Sequence, residues 1–280
     1  ARLNPSFGPM GSPLALWLLI TAIPAGAFRS HLAAHAAERC SRNSTNALLP
    51  VRGRVLLVLR GEAMRTPTEL WEDKRYRVSH HVGCDVRGYE HQVNASKSLM
   101  ANIVEPLTGR GNLVDLLVTS YPCEAKEKMD GVFGIYRENE PSSIEVFNST
   151  AKSQWKNMKW VLESVERHVS GEAAYDMVII TRHDIIWKRR IDEWPSLNAG
   201  KFNFAAPCRG WHVPNDVIHT MPGSLLRAFL DVPLWDHSAF ERAVETYGQE
   251  CIEVGFALAD TADEVGGGLV RSPNPYYQVI

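Results

Sequence analysis

The chain has no excess of either charge, since 30 Lys and Arg stand against 32 Asp and Glu among its 280 residues, for a net charge of −2. It also lacks a basic block, so a nucleic-acid backbone is not expected as its main partner. Only five cysteines are present, without a C-x-x-C pair, which favours one or two disulfides over a zinc cage. The odd count leaves one free thiol or an intermolecular bridge. The 45% of apolar residues suffices for a globular domain with a sizeable core.

The apolar run near the start is too short for a membrane span. Residues 14–23 are apolar and precede Pro24 and then "AGA" at residues 25–27, the pattern of a secretory signal with its cleavage site. Because a bilayer span needs about 18 or more apolar residues, we expect residues 1–27 to be cleaved, with a membrane anchor as the alternative. Residues 28–50 are expected to form a stem or linker before a domain over residues 51–280.

Three N-x-S/T sequons occur, at Asn43, Asn94 and Asn148. They fit glycosylation of a protein that passes through the secretory pathway and stays in the Golgi lumen or is secreted. Membrane contact is then expected only through an N-terminal segment that remains uncleaved.

Strand and helix patterns alternate along the domain. "RVLLVLRG" (residues 54–61) and "NLVDLLVTSYP" (residues 112–122) read as buried strands, and residues 94–107 as a helix. A further helix is predicted from an apolar stripe with spacing 3-4-3-4, formed by Trp155, Met158, Leu162, Val165 and Val169. "YDMVIIT" and "KFNFAAP" are predicted strands, and "GSLLRAFL" and "SAFERAVETYG" predicted helices. This order predicts an α/β fold with a parallel sheet.

A charged cluster follows one of these strands, in the stretch "YDMVIITRHDIIW". In an open parallel sheet, ligands bind beyond the carboxyl ends of the strands, which is where this cluster falls. Alternation along an extended chain puts Arg182 and Asp184 on one face and His183 on the other. One interpretation is an Arg182–Asp184 ion pair that covers the sheet edge. The other is that Asp184 holds Mg²⁺ or Mn²⁺ while Arg182 faces a phosphate.

A second polar stretch, "WHVPNDVIHTMPGSL", places Asn215 and Asp216 after a strand and before a helix predicted to start near Pro222. Such a position suits the same crevice. The alternative is a turn in which an Asx side chain caps the helix.

Several segments together resemble a group of nucleotide-sugar glycosyltransferase-like proteins of protists, algae and fungi. They are "LLVLRGEAMR", "VDLLVTSY", "KSQWKNMKWVLESVERHV", "YDMVIITRHDIIW", "NDVIHTMPGSLLRAF" and "NPYYQV", and the resemblance covers residues 54–280. It implies a GT-A fold, a Rossmann-like α/β domain with a mostly parallel central sheet flanked by helices, which binds a nucleotide-sugar donor, commonly with Mn²⁺. The implied function is transfer of a sugar to a hydroxyl of a glycan or protein acceptor.

The resemblance also implies roles for individual residues. The R-x-D of Arg182 and Asp184 stands where GT-A enzymes usually have D-x-D, so Asp184 would bind Mn²⁺ or Mg²⁺. Since a cation replaces the first carboxylate, Arg182 would neutralise the leaving diphosphate, beside a weak metal site or none. Arg60 and Arg65 would contact the nucleotide, unless they are exposed loop arginines. If the reaction inverts the anomeric centre, Asp216 is the candidate for the general base.

Two other classes of function compete. A metal-dependent hydrolase would be built on His183, His212, Asp216 and His219, or a zinc half-site on "HHVGC" with His91. A non-catalytic sugar-binding or degenerate transferase domain would offer Trp faces to sugars, whereas the alternative is that these Trp side chains are buried in the core. The Trp residues concerned are Trp71, Trp160, Trp187, Trp194, Trp211 and Trp235.

Overall fold

The computed structural model describes residues 49–64, 84, 86–138, 142–149, 154–169, 175–194, 197–204, 217–231, 251–254 and 277–279. A seven-stranded sheet has the spatial order β3-β2-β1-β4-β7-β6-β8, and a two-stranded sheet pairs β5 with β9. The strands are β1 (Arg54–Arg60), β2 (Leu113–Ser120), β3 (Ser142–Val146), β4 (Met177–Arg182), β5 (Ile185–Trp187), β6 (Phe202–Phe204), β7 (Ile218–Pro222), β8 (Ile252–Val254) and β9 (Tyr277–Val279).

Helices cover both faces of the large sheet. The side chains of Val55, Leu57 and Leu59 pack with the helices of one face, and those of Leu56 and Val58 with the helices of the other. The first face, here the α1 side, carries α1 (Tyr89–Leu99), a π-helical segment (Met100–Val104), α2 (Glu105–Gly109) and α3 (Lys126–Arg137). The second, here the α4 side, carries α4 (Gln154–Val169) and α5 (Leu226–Asp231).

The continuous apolar run of β1 suits this arrangement because both of its faces are buried. Each Leu, Ile or Val side chain removed from water contributes about 1.5–3 kcal/mol to folding. In α4, Met158, Leu162 and Val165 of the predicted stripe are buried against the sheet. The predicted α/β class, with a mostly parallel central sheet flanked by helices, is therefore confirmed.

The sheet is not wholly parallel, which corrects one expectation. Strand β7 runs antiparallel to both β4 and β6, whereas the other pairs of the sheet are parallel. The helix expected near Pro222 begins as a 3₁₀ turn at Gly223, and the residues before it, which include His219 and Thr220, form β7. The sequence did not predict this strand because it contains polar residues. All five of its residues are nevertheless buried, since the strand lies between two others.

Other short elements escaped the sequence patterns. Strand β3 lies at the sheet edge and is only partly buried, and β5 has three residues. The predicted helix over residues 94–107 is present but extends in both directions, while the segment "SAFERAVETYG" lies outside the described residues. In the part of the chain that the structure describes, no helix is long and apolar enough to cross a membrane.

Disulfides tie the loops to this framework. Cys84 is bonded to Cys123, which follows β2, across a Cα–Cα distance of 5.2 Å. Cys251 is also disulfide-bonded. The expectation of disulfides is confirmed by these bonds.

Gly223 gives a direct test of the packing between β4 and β7. A Cβ atom at this position would lie 1.8 Å from the carbonyl oxygen of Tyr175, which is backbone and cannot rotate away. We expect Gly223→Ala to lower the free energy of unfolding by about 1–3 kcal/mol, measured by urea denaturation.

Gly134, in α3, is the matched control. A Cβ atom there would meet nothing within 4 Å. Gly134→Ala should leave stability unchanged or raise it by up to about 1 kcal/mol, because Ala favours a helix over Gly. Equal effects of the two substitutions would contradict the packing described for Gly223.

Candidate active site

The candidate site lies where β1, β2 and β4 end, at Arg60, Ser120 and Arg182. Arg60 and Arg182 are partners in register across the parallel β1–β4 pair. Residues in register on neighbouring strands point to the same face, and alternation after Leu59 places this pair on the α4 side. Arg60 is buried, with 3% of its surface exposed. Two guanidinium groups are thus brought to one edge of the sheet.

Arg182 and Asp184 form an ion pair. The Nε atom of Arg182 donates to Oδ1 of Asp184 at 2.8 Å, and an Nη2 hydrogen bond to Oδ2 completes a bidentate contact. The side chains are only 13% and 4% exposed. Charged hydrogen bonds of this kind are the strong ones, and removing one partner of a buried pair costs about 3–5 kcal/mol because the other charge is left uncompensated. Of the two interpretations of the R-x-D motif, the structure therefore shows the ion pair between Arg182 and Asp184.

His183 points to the opposite side of the sheet, as alternation predicts. Its Nε2 atom lies 2.8 Å from the carbonyl oxygen of Thr119, and its ring centroid is 6.1 Å from that of Tyr136, in α3. Its backbone N–H donates to the carbonyl oxygen of Arg60 at 3.1 Å. His183 therefore joins the ends of β1, β2 and β4 and does not face Asp184.

The environment of His183 keeps its ring neutral. Burial lowers the pKa of His183 from 6.5 to about 4, and the nearby Arg60 acts in the same direction. The Thr119 carbonyl and the Asp184 carboxylate act in the opposite direction but do not offset burial. The neutral ring needs its proton on Nε2 to donate to Thr119, so the histidine is a structural donor at neutral pH.

Gln92, a buried residue of α1, is a component of the site that sequence reasoning missed. Its Nε2 atom donates to the carbonyl oxygen of His183 at 3.1 Å, and its Oε1 atom accepts from the N–H of Met64 at 3.0 Å. Met64 has a φ of 57°, a left-handed backbone conformation that residues other than glycine rarely adopt. Gln92 thus connects the segment after β1 to the segment after β4. No sequence pattern distinguishes it from an exposed glutamine of an amphipathic helix.

Two threonine hydroxyls, of Thr119 and Thr181, form further hydrogen bonds between neighbouring strand ends. Oγ1 of Thr119 donates to the carbonyl oxygen of Leu59 at 2.8 Å, and Oγ1 of Thr181 donates to that of Val217 at 2.9 Å. The N–H of Arg182 also donates to the carbonyl oxygen of Val217, at 3.3 Å. The start of β7 is therefore held beside the R-x-D motif.

The described residues do not fit a divalent metal ion. Among them, no group of three His, Cys, Asp or Glu side chains is placed to hold one. Asp184 contributes one carboxylate, and both of its oxygens accept hydrogen bonds from Arg182. Mg²⁺ in phosphate sites is held by one or two carboxylates together with waters and phosphates, and the one carboxylate here is already shared with a guanidinium, whose positive charge repels a cation. We therefore derive no step through a metal at Asp184.

The two described histidines of the competing hydrolase, His183 and His219, do not converge either. His183 faces the α1 side, whereas the ring of His219 packs against Phe204 and Phe229 on the α4 side. Cys84 of the "HHVGC" half-site is consumed by its disulfide. His212 lies outside the described residues.

The remaining predicted residues lie outside the described part of the chain, on the surface, or, for some of the tryptophans, wholly or partly in the core. Arg65, Asp216 and Asn43 lie outside it. Asn94 is exposed on α1, and Asn148 is exposed just after β3. Among the tryptophans, Trp187 and Trp194 are buried against each other with ring centroids 5.5 Å apart, so they offer no face to a sugar. Trp160 is half-buried, and Trp71, Trp211 and Trp235 lie outside the described residues.

The buried histidine predicts a pH dependence of stability. Because the pKa of His183 is lower in the folded chain, the unfolded chain binds more protons between pH about 4 and 6.5, and stability is lost as the pH falls through this window. The loss is on the order of 3 kcal/mol. Urea denaturation at several pH values should show a shallower pH dependence for His183→Gln than for the wild type.

His91→Gln is the control for this experiment, since it removes a half-buried histidine of α1 outside the contacts of His183. It should leave the pH dependence as in the wild type. A His183→Gln curve parallel to that of the wild type would show that His183 is not held neutral in the folded chain.

Comparison with known proteins leaves the family open. No family model matches the chain. No curated protein matches it. Among solved structures, the chain is similar to an active-site mutant of LgtC, a glycosyltransferase, with 10% sequence identity, 72% of each chain covered and a TM-score of 0.36. A similarity with so low a TM-score gives no information on the function of this chain.

Proposed function

We propose that the chain is a glycosyltransferase with a GT-A type of fold, which moves a sugar from a nucleotide-sugar donor to a hydroxyl of a glycan or protein acceptor. The observation that carries this proposal is the pair of arginines in register at the carboxyl edge of the sheet. Ligands of open α/β sheets bind at this edge. Guanidinium groups match the geometry of phosphate oxygens and are favoured where a diphosphate is bound away from water.

In the proposed reaction, the acceptor oxygen forms a bond to the anomeric carbon as the bond from that carbon to the diphosphate oxygen breaks. Negative charge then develops on the leaving diphosphate. Arg182 is assigned to neutralise this charge, and Arg60 and Arg65 to bind the nucleotide diphosphate. Donors that are fixed before the reaction stabilise such charge without further reorganisation. The bidentate contact with Asp184 supports a fixed position for the Arg182 guanidinium.

The proton of the acceptor hydroxyl is assigned to the Asp216 carboxylate if the reaction inverts the anomeric centre. The position of Asp216 in the sequence supports this role, because it immediately precedes Val217, whose carbonyl oxygen accepts from the N–H of Arg182. A reaction that retains the configuration has no need of this base.

We also propose that the protein works in the secretory pathway, in the Golgi lumen or as a secreted protein. The Cys84–Cys123 disulfide supports an oxidising compartment. The exposure of Asn94 and Asn148 is compatible with glycosylation at these sequons.

One observation favours a second candidate, a sugar-nucleotide-binding domain that does not catalyse transfer. Asp184, the carboxylate expected to serve the chemistry, is engaged by Arg182 through both oxygens. A thermal-shift screen with UDP, GDP and CMP sugars, with and without Mn²⁺, separates the two when it is followed by a transfer assay. A nucleotide-dependent shift without transfer to any acceptor tested would favour the binding domain.

Arg182→Gln tests the assigned role of the guanidinium. Removal of one donor to the developing charge is expected to lower kcat by about 10²–10³-fold in a transfer assay with the donor found by the screen. Arg190→Gln is the matched control, because Arg190 forms a bidentate pair with Asp192 at the same spacing but is exposed. It should retain wild-type activity. Wild-type activity of Arg182→Gln would remove Arg182 from the reaction.

A further inference from the structure

We propose that Asp184 is a positioning residue for Arg182 and not a metal ligand, so that diphosphate binds at this edge without a divalent cation. The inference rests on the proposed function for the identity of the anion. It departs from the expectation of Mn²⁺ or Mg²⁺ at Asp184, and it is carried by the geometry of the Arg182–Asp184 pair together with the poor fit of a metal to the described residues.

The contacts of Asp184 oppose a metal site. Its Oδ1 and Oδ2 atoms both accept from Arg182, so a cation could use only the remaining lone pairs of the same two oxygens. The cation would then lie close to a guanidinium, and the two positive charges would repel each other. In a D-x-D motif, a second carboxylate two residues before Asp184 would attract the cation. In this chain that position is occupied by Arg182, which repels it.

A second R-x-D motif in the chain shows what is particular about this one. Arg190 and Asp192 form a bidentate contact through the same atoms, with distances of 3.1 and 3.0 Å. Their side chains are 47% and 23% exposed, whereas those of Arg182 and Asp184 are 13% and 4% exposed. Exposed pairs are weak because water and salt screen them. The buried pair is strongly coupled because either charge alone would be costly at this site.

Asp184 therefore does two things for an incoming anion. It fixes the plane of the Arg182 guanidinium through two hydrogen bonds. It also supplies a counter-charge where Arg60 and Arg182 lie in register on neighbouring strands. The protein itself then brings two guanidinium groups to the diphosphate, and Asp184 balances part of their charge.

Calorimetric titration of UDP, GDP and inorganic pyrophosphate into the full chain tests the inference. We expect the wild-type Kd of the ligands that bind to be the same within about threefold in excess EDTA and in excess Mn²⁺. We expect Arg182→Gln to weaken binding by roughly 10–100-fold in both, the range for a charged hydrogen bond. A wild-type affinity that falls more than about tenfold in EDTA would overturn the inference.

A double-mutant cycle assigns the role of Asp184. Asp184→Asn retains an oxygen acceptor for Arg182 but removes the counter-charge, so pyrophosphate should bind equally or up to about tenfold more tightly in EDTA. In the Arg182→Gln background only the removal of the carboxylate's repulsion remains, so the same change should strengthen pyrophosphate binding at least as much as in the wild type. A Mn²⁺-dependent loss of affinity in both backgrounds would make Asp184 a metal ligand and overturn the inference.

Two controls keep the result interpretable if a single variant is unstable. The double variant Arg182→Gln with Asp184→Asn leaves no lone buried charge, and its near-UV circular dichroism should match the wild type. Asp192→Asn, in the exposed pair, should change neither anion affinity nor its response to Mn²⁺. Pyrophosphate binding of wild-type strength by the folded double variant would also overturn the inference.

The outcomes separate this inference from the proposed function. Metal-free pyrophosphate binding that depends on Arg182, without sugar transfer, would support the inference and contradict the transferase. Sugar transfer that requires Mn²⁺ and Asp184 would support the transferase and contradict the inference. Absence of binding by pyrophosphate and by both nucleotides would contradict both.

Discussion

The carboxyl edge of the sheet depends on one buried residue, His183. Its backbone N–H binds the end of β1, its ring binds the end of β2, and its carbonyl oxygen accepts from Gln92 of α1. Burial favours the neutral form of the ring, because a charged ring away from water is costly, and the neutral form can carry the Nε2 proton that the contact with Thr119 needs. The three hydrogen bonds of His183 therefore hold the end of β4 against the ends of β1 and β2 and against α1.

That direction determines what the neighbouring residues can do. With His183 held on the α1 side, Arg182 and Asp184 must lie on the other side, where Arg60 arrives in register from β1. Strand alternation and parallel register are enough to bring two arginines and one carboxylate together. The site is thus built from the ends of strands, which are rigid, and Gln92 extends this rigidity to Met64 in the segment after β1.

The parts of the fold that could be predicted are those with strong patterns. The apolar runs of β1, β2 and β4 and the stripe of α4 are long enough to identify their elements, and β3 and β5 are too short or too polar. Strand β7 contains His219 and Thr220, which read as polar, yet it lies between β4 and β6 and is buried throughout. Its antiparallel direction depends on pairing with strands that are distant in sequence, and local patterns carry no information on such pairing.

The sequence by itself determined the α/β class, the position of the charged cluster after a buried strand, and the opposite sides taken by His183 and Asp184. These follow from the period of side chains along a strand, which is a local property. Only the tertiary structure decided that Asp184 belongs to Arg182 and that Gln92 joins the segments after β1 and β4. Whether a carboxylate meets a guanidinium, a metal or water depends on burial and on partners from other elements, and packing sets both.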